Sequence, residues 1–257
     1  MTAAADDTIL DELVDAARRF PERQLLQFRS RIGANQYRRL YRLVRRFTAE
    51  GASVLDWGSG NGHFSYFLQR AGRAAHGFSL LEGKFRAWIP DPDYPFVKGD
   101  ESEPVRLPYA DAMFDAVVSV GVLEHVRETG GEEARSLAEI ARVLKPGGVF
   151  ICYHFPNQHS WIDRMARLFP SMHRHEFRYT AREIRALADG AEMRVAAIGR
   201  YGCLPRNSAG ALPDGLARSR SLAAGWDAVD AGLGAVLGRW CQNYCFVARK
   251  GGAGPND

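Results

Sequence analysis

Apolar and polar positions alternate in blocks between residues 52 and 155. Short apolar runs in this region predict five strands, because near-continuous apolar residues mark strands that are covered on both faces. Amphipathic segments separate these runs, and such alternation is typical of a parallel sheet with crossover helices. The predicted strands are Ser53–Trp57, Ala74–Ser79, Phe96–Lys98, Phe114–Val120 and Val149–Phe155.

One of the intervening helices is predicted at about Glu132–Leu144, where apolar residues recur at helical spacing. The sequence Lys145-Pro146-Gly147-Gly148 follows it. Proline cannot continue a helix, and glycine accepts the left-handed conformation of a helix cap. We therefore expect these four residues to end the helix, with the fifth strand beginning at Val149.

The first 47 residues predict two helices and no strand. In the second helix one apolar face is formed by Tyr37, Leu40, Tyr41, Val44 and Phe47. Its other sides carry arginines, which belong to a basic region between Arg29 and Arg46. One interpretation is a solvated basic face on a helix that packs against the core. The other is a lid that attracts an anionic substrate or a membrane headgroup.

The pattern loosens after Phe155. A short amphipathic helix is predicted within residues 156–179 from Trp161, Ile162, Met165, Leu168 and Phe169. Thr180 is predicted to cap a helix that runs to about Ala188, and two more strands are predicted at Arg194–Tyr201 and Asn243–Arg249. We predict a helical cap at 1–50, a core at 51–250 with cap insertions at 156–179 and 203–240, and a disordered tail at 251–257.

Composition narrows the class of protein. The chain has 257 residues, of which 46% are hydrophobic, as is usual for a globular protein with a full core. It lacks both an apolar run of membrane-spanning length and the features of a signal peptide, so we expect a cytoplasmic protein. Its four cysteines form no C-x-x-C pair and are expected to be reduced thiols. The net charge of +4 is modest.

A glycine-rich turn carries the strongest signal of chemistry. Asp56 ends the first strand, Gly58, Gly60 and Gly62 follow at alternate positions, and a helix pattern begins at His63. Glycines let the backbone turn sharply and approach a ligand, and ligands of α/β sheets lie beyond the carboxyl ends of the strands. The spacing G-x-G-x-G differs from the dinucleotide fingerprint G-x-G-x-x-G. The simpler interpretation is a tight turn without a ligand.

This turn resembles the first motif of class I S-adenosylmethionine-dependent methyltransferases. Two further stretches resemble other signatures of that family in the expected order: 107–126, which contains Leu107-Pro108, Phe114-Asp115 and Leu123-Glu124-His125, and Leu144-Lys145-Pro146-Gly147-Gly148. The resemblance covers about residues 52–155. It implies an α/β fold with a Rossmann-like seven-stranded sheet, mostly parallel with the last strand antiparallel, and a helical cap.

The resemblance also implies the cofactor, S-adenosyl-L-methionine, with S-adenosyl-L-homocysteine as the product. Asp56 and the backbone of Gly58, Ser59, Gly60 and Gly62 would hold its methionine end. Asp100, with Glu101 beside it, would lie by the adenine, and Val120 and Gly121 would pass beneath the sulfonium. Ser79 stands where the family usually has an acidic residue that binds the ribose hydroxyls, and Glu82 is an alternative ribose contact.

Methyl transfer from a sulfonium is an in-line displacement, so a general base is needed only for a neutral hydroxyl or amine acceptor. The candidate catalytic residues are Glu124 and His125, which follow the fourth strand, and His154 in the fifth. His173 and His175 form an H-x-H sequence, but no matching carboxylate cluster is evident, and we expect no metal.

The first hypothesis for function is methyl transfer to a small-molecule, lipid-linked or glycan-linked acceptor, with oxygen as the first choice of acceptor atom. One alternative is a C-methyl or cyclopropane-type lipid methyltransferase, and another is a non-catalytic S-adenosylmethionine-binding partner subunit. We expect no nucleic-acid partner and no stable membrane insertion, with the Arg29–Arg46 helix as the surface for peripheral contact. The acceptor and the oligomeric state stay open.

Overall fold

A computed structural model of the chain describes residues 3–20, 25–80, 93–168 and 175–252. It divides into two compact units. Unit 1 comprises Met1–Arg46, His159–Arg174 and Arg200–Gln242, and unit 2 comprises Phe47–Gln158, His175–Gly199 and Asn243–Asp257. In these four described ranges, no helix is both long enough and apolar enough to cross a membrane. The predicted tail at 251–257 lies outside the described residues from position 253 onward.

Seven strands form one sheet in the order β3-β2-β1-β4-β5-β7-β6. Neighbouring strands from β3 to β5 are parallel, and β7 runs antiparallel to β5. This arrangement confirms the predicted fold class. The strands are β1 Ser53–Trp57, β2 Ala74–Ser79, β3 Phe96–Lys98, β4 Phe114–Val120, β5 Leu144–Pro156, β6 Met193–Tyr201 and β7 Asn243–Lys250. We call the side of the sheet where β1 to β5 end the carboxyl edge.

The helices of the described residues are α1 Ala3–Arg19, α2 Arg31–Asn35, α3 Arg38–Phe47, α4 His63–Arg70, α5 Glu133–Val143, α6 Trp161–Ala166, α7 Ala181–Gly190, α8 Asp214–Ala217 and α9 Arg220–Leu237. Thr180 caps α7 through a capping box with Glu183, as the sequence predicts, although the helix continues two residues beyond Ala188. The prediction of two N-terminal helices is wrong. Ser30 accepts a hydrogen bond from the Gly33 amide at 3.1 Å and starts a separate short helix, α2.

The core of unit 2 consists of apolar side chains from the sheet and from the helices that cover it. Val117 of β4, Phe150 of β5 and Phe246 of β7 are among its fully buried members. Phe150 and Phe246 pack edge to face, with their ring centroids 5.8 Å apart. Because the central strands are buried on both faces, only their ends reach solvent. The chemistry of this unit is therefore confined to the strand ends.

The segment Lys145-Pro146-Gly147-Gly148 does not separate helix from strand as predicted, because β5 begins at Leu144, directly after α5. Leu144 pairs with Phe114 of β4, and the pairing then shifts so that Val149 lies opposite Ala116. Gly147 has a φ of +76°, a conformation that glycine adopts without strain. The four residues thus form a bulge inside the strand, because pairing with β4 resumes on both sides of them.

Arginines of the basic N-terminal region pair with acidic residues of α1 in unit 1. Arg31 is 1% exposed and forms ion pairs with Asp7 and Asp11. Arg38 also pairs with Asp7, and Arg45 pairs with Asp6 at 2.5 Å. The predicted apolar face of α3 is confirmed at Leu40, Tyr41 and Val44, which are buried, and Tyr37, just before the helix, is buried as well. These contacts favour a structural role for Arg31, Arg38 and Arg45.

The predicted amphipathic helix within residues 156–179 forms as α6, but most of its apolar face stays exposed. Ile162 is buried, whereas Trp161 and Met165 are each 40% exposed and Leu168 is 69% exposed. Ser160 caps the helix by accepting a hydrogen bond from the Asp163 amide at 3.1 Å. Phe169 lies outside the described residues. Periodicity predicted the helix, but it did not determine how much of the apolar face another element covers.

All four cysteines are buried, and none of them forms a disulfide. Cys203 and Cys241 lie together in unit 1, with their Sγ atoms 2.7 Å apart. Burial, followed by the contact with Cys203, raises the pKa of Cys241 to about 12. The Cys241 thiol is therefore protonated at neutral pH and is a poor nucleophile.

Candidate active site

Asp56 lies at the centre of the carboxyl edge. In the register of the sheet it pairs with Gly77 of β2 and with Val118 of β4, and it is 1% exposed. Its carboxylate accepts a hydrogen bond from Ser65 Oγ of α4 at 2.5 Å. Burial raises the pKa of Asp56 to about 7, and the hydrogen bonds from Ser65 oppose that rise only in part. This carboxyl group can therefore gain or lose a proton close to neutral pH.

The glycine turn that follows has the backbone geometry that its sequence predicts. Gly58, Gly60 and Gly62 have φ values of +76°, +48° and +70°. A Cβ atom on Gly58 would lie 2.4 Å from Cγ2 of Val122, so no other residue fits there without displacing Val122. The amides of Gly58 and Ser59 donate hydrogen bonds to the Phe78 carbonyl at 2.8 and 2.9 Å. These two bonds hold the turn against the end of β2.

Tyr94 helps to hold Asp56 in place through Ser65, and the sequence analysis missed this residue. Its hydroxyl lies 2.5 Å from Ser65 Oγ, which in turn donates to Asp56. A Cβ atom on Gly77 would lie 2.1 Å from the Tyr94 hydroxyl, so the tyrosine reaches Ser65 only because residue 77 is glycine. Burial raises the pKa of Tyr94, and the nearby Asp56 carboxylate raises it further. The tyrosine is therefore a neutral hydrogen-bonding group.

The predicted ribose and adenine contacts lie at the ends of β2 and β3. Ser79 is the last residue of β2 and is 8% exposed. Asp100 is exposed after β3 and accepts hydrogen bonds from the amide and the hydroxyl of Ser102 at 2.8 and 2.7 Å, and these bonds lower its pKa. Glu101 beside it is also exposed. Glu82 lies outside the described residues. The roles assigned to these residues stay predictions.

The end of β4 leads to the candidate catalytic residues Glu124 and His125. The Gly121 amide donates to the Tyr153 carbonyl at 3.0 Å, with Gly121 at a φ of +72° directly after Val120. A 3₁₀ turn over Leu123–Thr129 then carries Glu124, which is 4% exposed. Burial raises the pKa of Glu124 to about 8. Its Oε2 atom has no hydrogen-bond partner among the described residues.

His154 is the extra residue of a bulge in β5. Tyr153 pairs with Cys245 of β7 and Phe155 pairs with the next residue, Tyr244, so His154 has no counterpart on β7. Its φ of +69° is unusual for a residue with a Cβ atom, and such strain is often found at functional sites. Burial lowers the pKa of His154 to about 3, with smaller contributions from His63 and His175. The ring is therefore neutral at physiological pH.

Two further histidines, His63 and His175, lie in this region, and the sequence analysis did not name them as site residues. His63 begins α4 directly after the glycine turn, and burial lowers its pKa to about 4. His175 lies before α7, with its ring centroid 6.1 Å from that of His125. The sequence showed no carboxylate cluster to match His173 and His175, but in the structure Glu124 lies close to His175 across the fold. No local pattern in the sequence marks His63 or His175 as a site residue, because only the fold brings them close to His154.

Comparison with known proteins identifies the class. Residues 55–152, which span β1 to most of β5, match the family model described as a methyltransferase domain. This segment includes the glycine turn, the end of β4 and the turn that carries Glu124 and His125. The match shows a methyltransferase domain in this part of the chain, and the seven-stranded topology agrees with the Rossmann-like fold predicted for it.

Curated relatives match part of the chain. The ubiquinone/menaquinone biosynthesis C-methyltransferase UbiE of Bartonella bacilliformis is 31% identical over 115 residues, which are 42% of each chain. The demethylmenaquinone methyltransferase of Mycolicibacterium vanbaalenii is 33% identical over 135 residues, which are 47% of this chain and 56% of that protein. The chain thus spans about half the length of these curated relatives.

Solved structures match over more of the fold at lower identity. A chain of the complex between the Haloferax volcanii Trm112 methyltransferase activator and a putative methyltransferase has a TM-score of 0.59 and 19% identity, over 93% of this chain and 97% of that one. The Burkholderia thailandensis 1,6-didemethyltoxoflavin-N1-methyltransferase, solved with S-adenosylhomocysteine, has a TM-score of 0.53 and 20% identity, over 83% and 77%. These similarities concern the fold.

Proposed function

We propose that this protein binds S-adenosylmethionine at the carboxyl edge and transfers its methyl group to a small or lipid-linked acceptor. The observation that carries the proposal is the buried Asp56 carboxyl group beside three glycines in left-handed conformation. Asp56 has no cationic partner among the described residues, and burial holds its pKa near 7. A ligand that brings an ammonium group to this position would stabilise the carboxylate.

The residues present fit the methionine end of that cofactor. A Cβ atom on Gly60 would meet only the Gly58 carbonyl oxygen, at 3.7 Å, so the turn leaves its backbone open to a ligand at Gly60. Ser65 and Tyr94 hold the Asp56 side chain from the side of α4 and β2. The N-terminus of α4 adds a partial positive charge that suits a ligand carboxylate. One turn thus offers sites for both charges of an amino acid.

The cofactor supplies an electrophilic methyl group on a sulfonium, and the protein's residues must position it and exclude water. Alignment of this kind lowers a barrier by about 7–11 kcal/mol in favourable cases. Gly121 and Val122 follow β4 and are held by the hydrogen bond to Tyr153 and by the packing of Val122 against Gly58. Gly121 is thereby tied to β5, and Val122 is packed against the glycine turn.

An oxygen acceptor is our first choice for the reaction. Glu124, His125 and His175 lie together beyond β4, where they can accept a proton or orient a hydroxyl group. His154, with its pKa of about 3, is a weak proton acceptor, and in this proposal its neutral ring orients the acceptor by hydrogen bonding.

Methyl transfer to carbon is the second candidate. Two of the relatives are named as quinone-pathway methyltransferases, one of them explicitly a C-methyltransferase. A proton must also leave the carbon that receives the methyl group, so the same polar cluster would serve this reaction.

Two measurements test the proposal. Calorimetry with S-adenosylmethionine and S-adenosylhomocysteine must show binding of both, and absence of binding by either would reject it. Incubation with cofactor labelled in the methyl group, against phenols, hydroxylated quinols and extracted lipids, must then label one acceptor class. Magnetic resonance of the product separates an O-methyl from a C-methyl group. Binding without labelling of any acceptor or cell-extract fraction would favour the non-catalytic subunit instead.

A further inference from the structure

Three side chains with metal-binding atoms converge beyond the end of β4. Glu124 and His125 come from the 3₁₀ turn over Leu123–Thr129, and His175 comes from the segment before α7. One carboxylate oxygen and one ring nitrogen from each histidine all lie within 4.8 Å of one another. Residues fifty positions apart in the chain thus form one cluster within unit 2.

Within the described ranges, one carboxylate oxygen of Glu124 in this cluster is buried without the hydrogen bond or ion pair that a buried oxygen normally has. Glu124 is 4% exposed, and its Oε2 atom has no hydrogen-bond partner among the described residues. An unpartnered buried polar atom is costly, and a carboxylate oxygen more so than a neutral one. A group from outside the chain that brings positive charge or a hydrogen-bond donor would remove this cost.

The two histidines are arranged as metal ligands commonly are. His125 Nδ1 lies 2.7 Å from Glu128 Oε1, and a carboxylate on one ring nitrogen fixes the tautomer in which the other nitrogen carries the lone pair. The ring centroids of His125 and His175 are 6.1 Å apart, with planes inclined by 38°. Two imidazoles on one tetrahedral ion, with metal–nitrogen distances of about 2.1 Å, have centroids about 5.3 Å apart, so a shift of less than about 1 Å brings both rings onto one ion.

The chemistry of the donors selects the kind of ion. Two imidazole nitrogens and one carboxylate oxygen suit zinc and its first-row neighbours, whereas magnesium and calcium prefer oxygen ligands throughout. Three protein ligands leave at least one coordination position open, as in catalytic rather than structural zinc sites. We propose that Glu124, His125 and His175 bind one divalent transition-metal ion of the zinc type in an open site.

The consequence for the acceptor rests on the proposed methyl transfer. A metal ion with an open position binds an oxygen atom and lowers the pKa of a hydroxyl group there. The hydroxyl proton then passes to solvent, the oxygen–carbon bond forms as the carbon–sulfur bond breaks, and the electron pair of the broken bond stays on sulfur. The site therefore selects an acceptor with a hydroxyl or phenol oxygen.

The test begins with the metal alone. The full chain is first freed of metal by a chelator. Binding of Co²⁺ is then measured by the visible absorption of the bound ion, and binding of Zn²⁺ is measured by calorimetry. We expect one equivalent of each to bind. The variants His175→Gln and Glu124→Gln should lose at least 100-fold in affinity, and His76→Gln, in the middle of β2, should bind as the wild type does. Failure of the wild type to bind, or unchanged binding by His175→Gln, would overturn the proposal.

A variant outside the three ligands shows whether a loss of metal binding reflects the site itself rather than a loss of folding. Glu128→Gln keeps all three ligands but weakens the contact to His125, and about a 10–100-fold loss in metal affinity is expected. Thermal melting followed by circular dichroism identifies any variant that does not fold. An intact fold with unchanged Co²⁺ affinity in both Glu128→Gln and Glu124→Gln would refute the site.

Cofactor binding on the same samples separates the two proposals. If the chain binds Co²⁺ but not S-adenosylmethionine, the proposed function fails and the metal site stands. If the chain binds S-adenosylmethionine but takes up no Co²⁺ or Zn²⁺, the metal site fails and the proposed function stands.

Discussion

In one region of the molecule the buried and nearly buried charged groups form ion pairs, and in another region two buried carboxyl groups do not, within the part of the chain that the structure describes. In unit 1, Arg31 is paired with Asp7 and Asp11, and Arg206 is paired with Asp227 and Asp230 at 2.5 and 2.9 Å. At the carboxyl edge of unit 2, Asp56 and Glu124 are 1% and 4% exposed, but neither has a cationic partner among the described residues.

The difference is not a property of unit 2 as a whole. Glu133, which is 1% exposed, lies in the same unit and pairs with Arg127 at 2.8 Å. Within unit 2, Asp56 and Glu124 thus differ from Glu133 in having no cationic partner among the described residues. Paired charges fix the positions of helices, whereas buried carboxyl groups with raised pKa values in a cleft are candidates for ligand binding. The predictions below test that division.

The largest effect is expected from Arg31→Met in unit 1. The substitution leaves Asp7 and Asp11 without their buried partner, so the free energy of unfolding should fall by about 3–5 kcal/mol. Urea denaturation followed by circular dichroism measures this change. The matched control is Arg218→Ala, which removes an exposed pair with Asp15 and should cost at most about 1 kcal/mol. Similar losses in both variants would show that burial does not distinguish the pairs.

A smaller effect, on binding, is expected from Asp56→Asn. Loss of the charged acceptor should weaken S-adenosylmethionine binding by about 1.5–3 kcal/mol, roughly 10–150-fold, while the fold is kept. Calorimetry gives the affinity. Asp115→Asn serves as the control, because Asp115 lies at the start of β4 and bonds to Lys145 and the Ser53 amide. A loss of affinity in Asp115→Asn as large as in Asp56→Asn would contradict the assignment.

The pH dependence of the same affinity follows from the raised pKa of Asp56. Below about pH 7 the free protein carries a neutral Asp56, which must lose its proton to bind an ammonium group. Affinity should therefore rise with pH up to about 7, by at most about 1.4 kcal/mol per pH unit, and then level off. Asp56→Asn should show no such rise, and a parallel rise in both proteins would assign the titration to another group.

The stability of the ligand-free protein should change in the opposite direction. The folded-state pKa of Asp56 lies above the unfolded value of 3.8. The folded state therefore binds the proton more tightly, and this contribution is fully present below about pH 4 and is lost as pH rises towards 7. Urea denaturation at several pH values measures this contribution as the difference in free energy of unfolding between the wild type and Asp56→Asn. If that difference does not depend on pH, the pKa of Asp56 is not raised.

The smallest effect is expected from Ser79→Asp at the end of β2. A carboxylate can accept hydrogen bonds from both ribose hydroxyls, so cofactor affinity should rise by about 0.5–1.5 kcal/mol. Ser79→Asn, of nearly equal size but neutral, is the control and should gain less. Equal affinity in the wild type and in Ser79→Asp would place the ribose away from the end of β2.

Much of the fold follows from local patterns in the sequence. The strands β1 to β4 are predicted to the residue, because apolar runs bounded by turn residues leave little choice of where a buried strand begins and ends. The glycine turn is also local, since positive φ at Gly58 and Gly62 depends on the residue type itself. The start of β5 was missed because pairing with β4 extends the strand past a proline and two glycines.

The sequence by itself thus determined the order of strands and helices, the turn at Asp56 and the family of the domain. Only the tertiary structure decided that Tyr94 supports Asp56 through Ser65, that Arg31 is buried between two aspartates, and that His175 joins Glu124 and His125. The physical reason is that periodicity reports which face of an element is covered, whereas the order of strands in the sheet decides which distant residues meet at its edge.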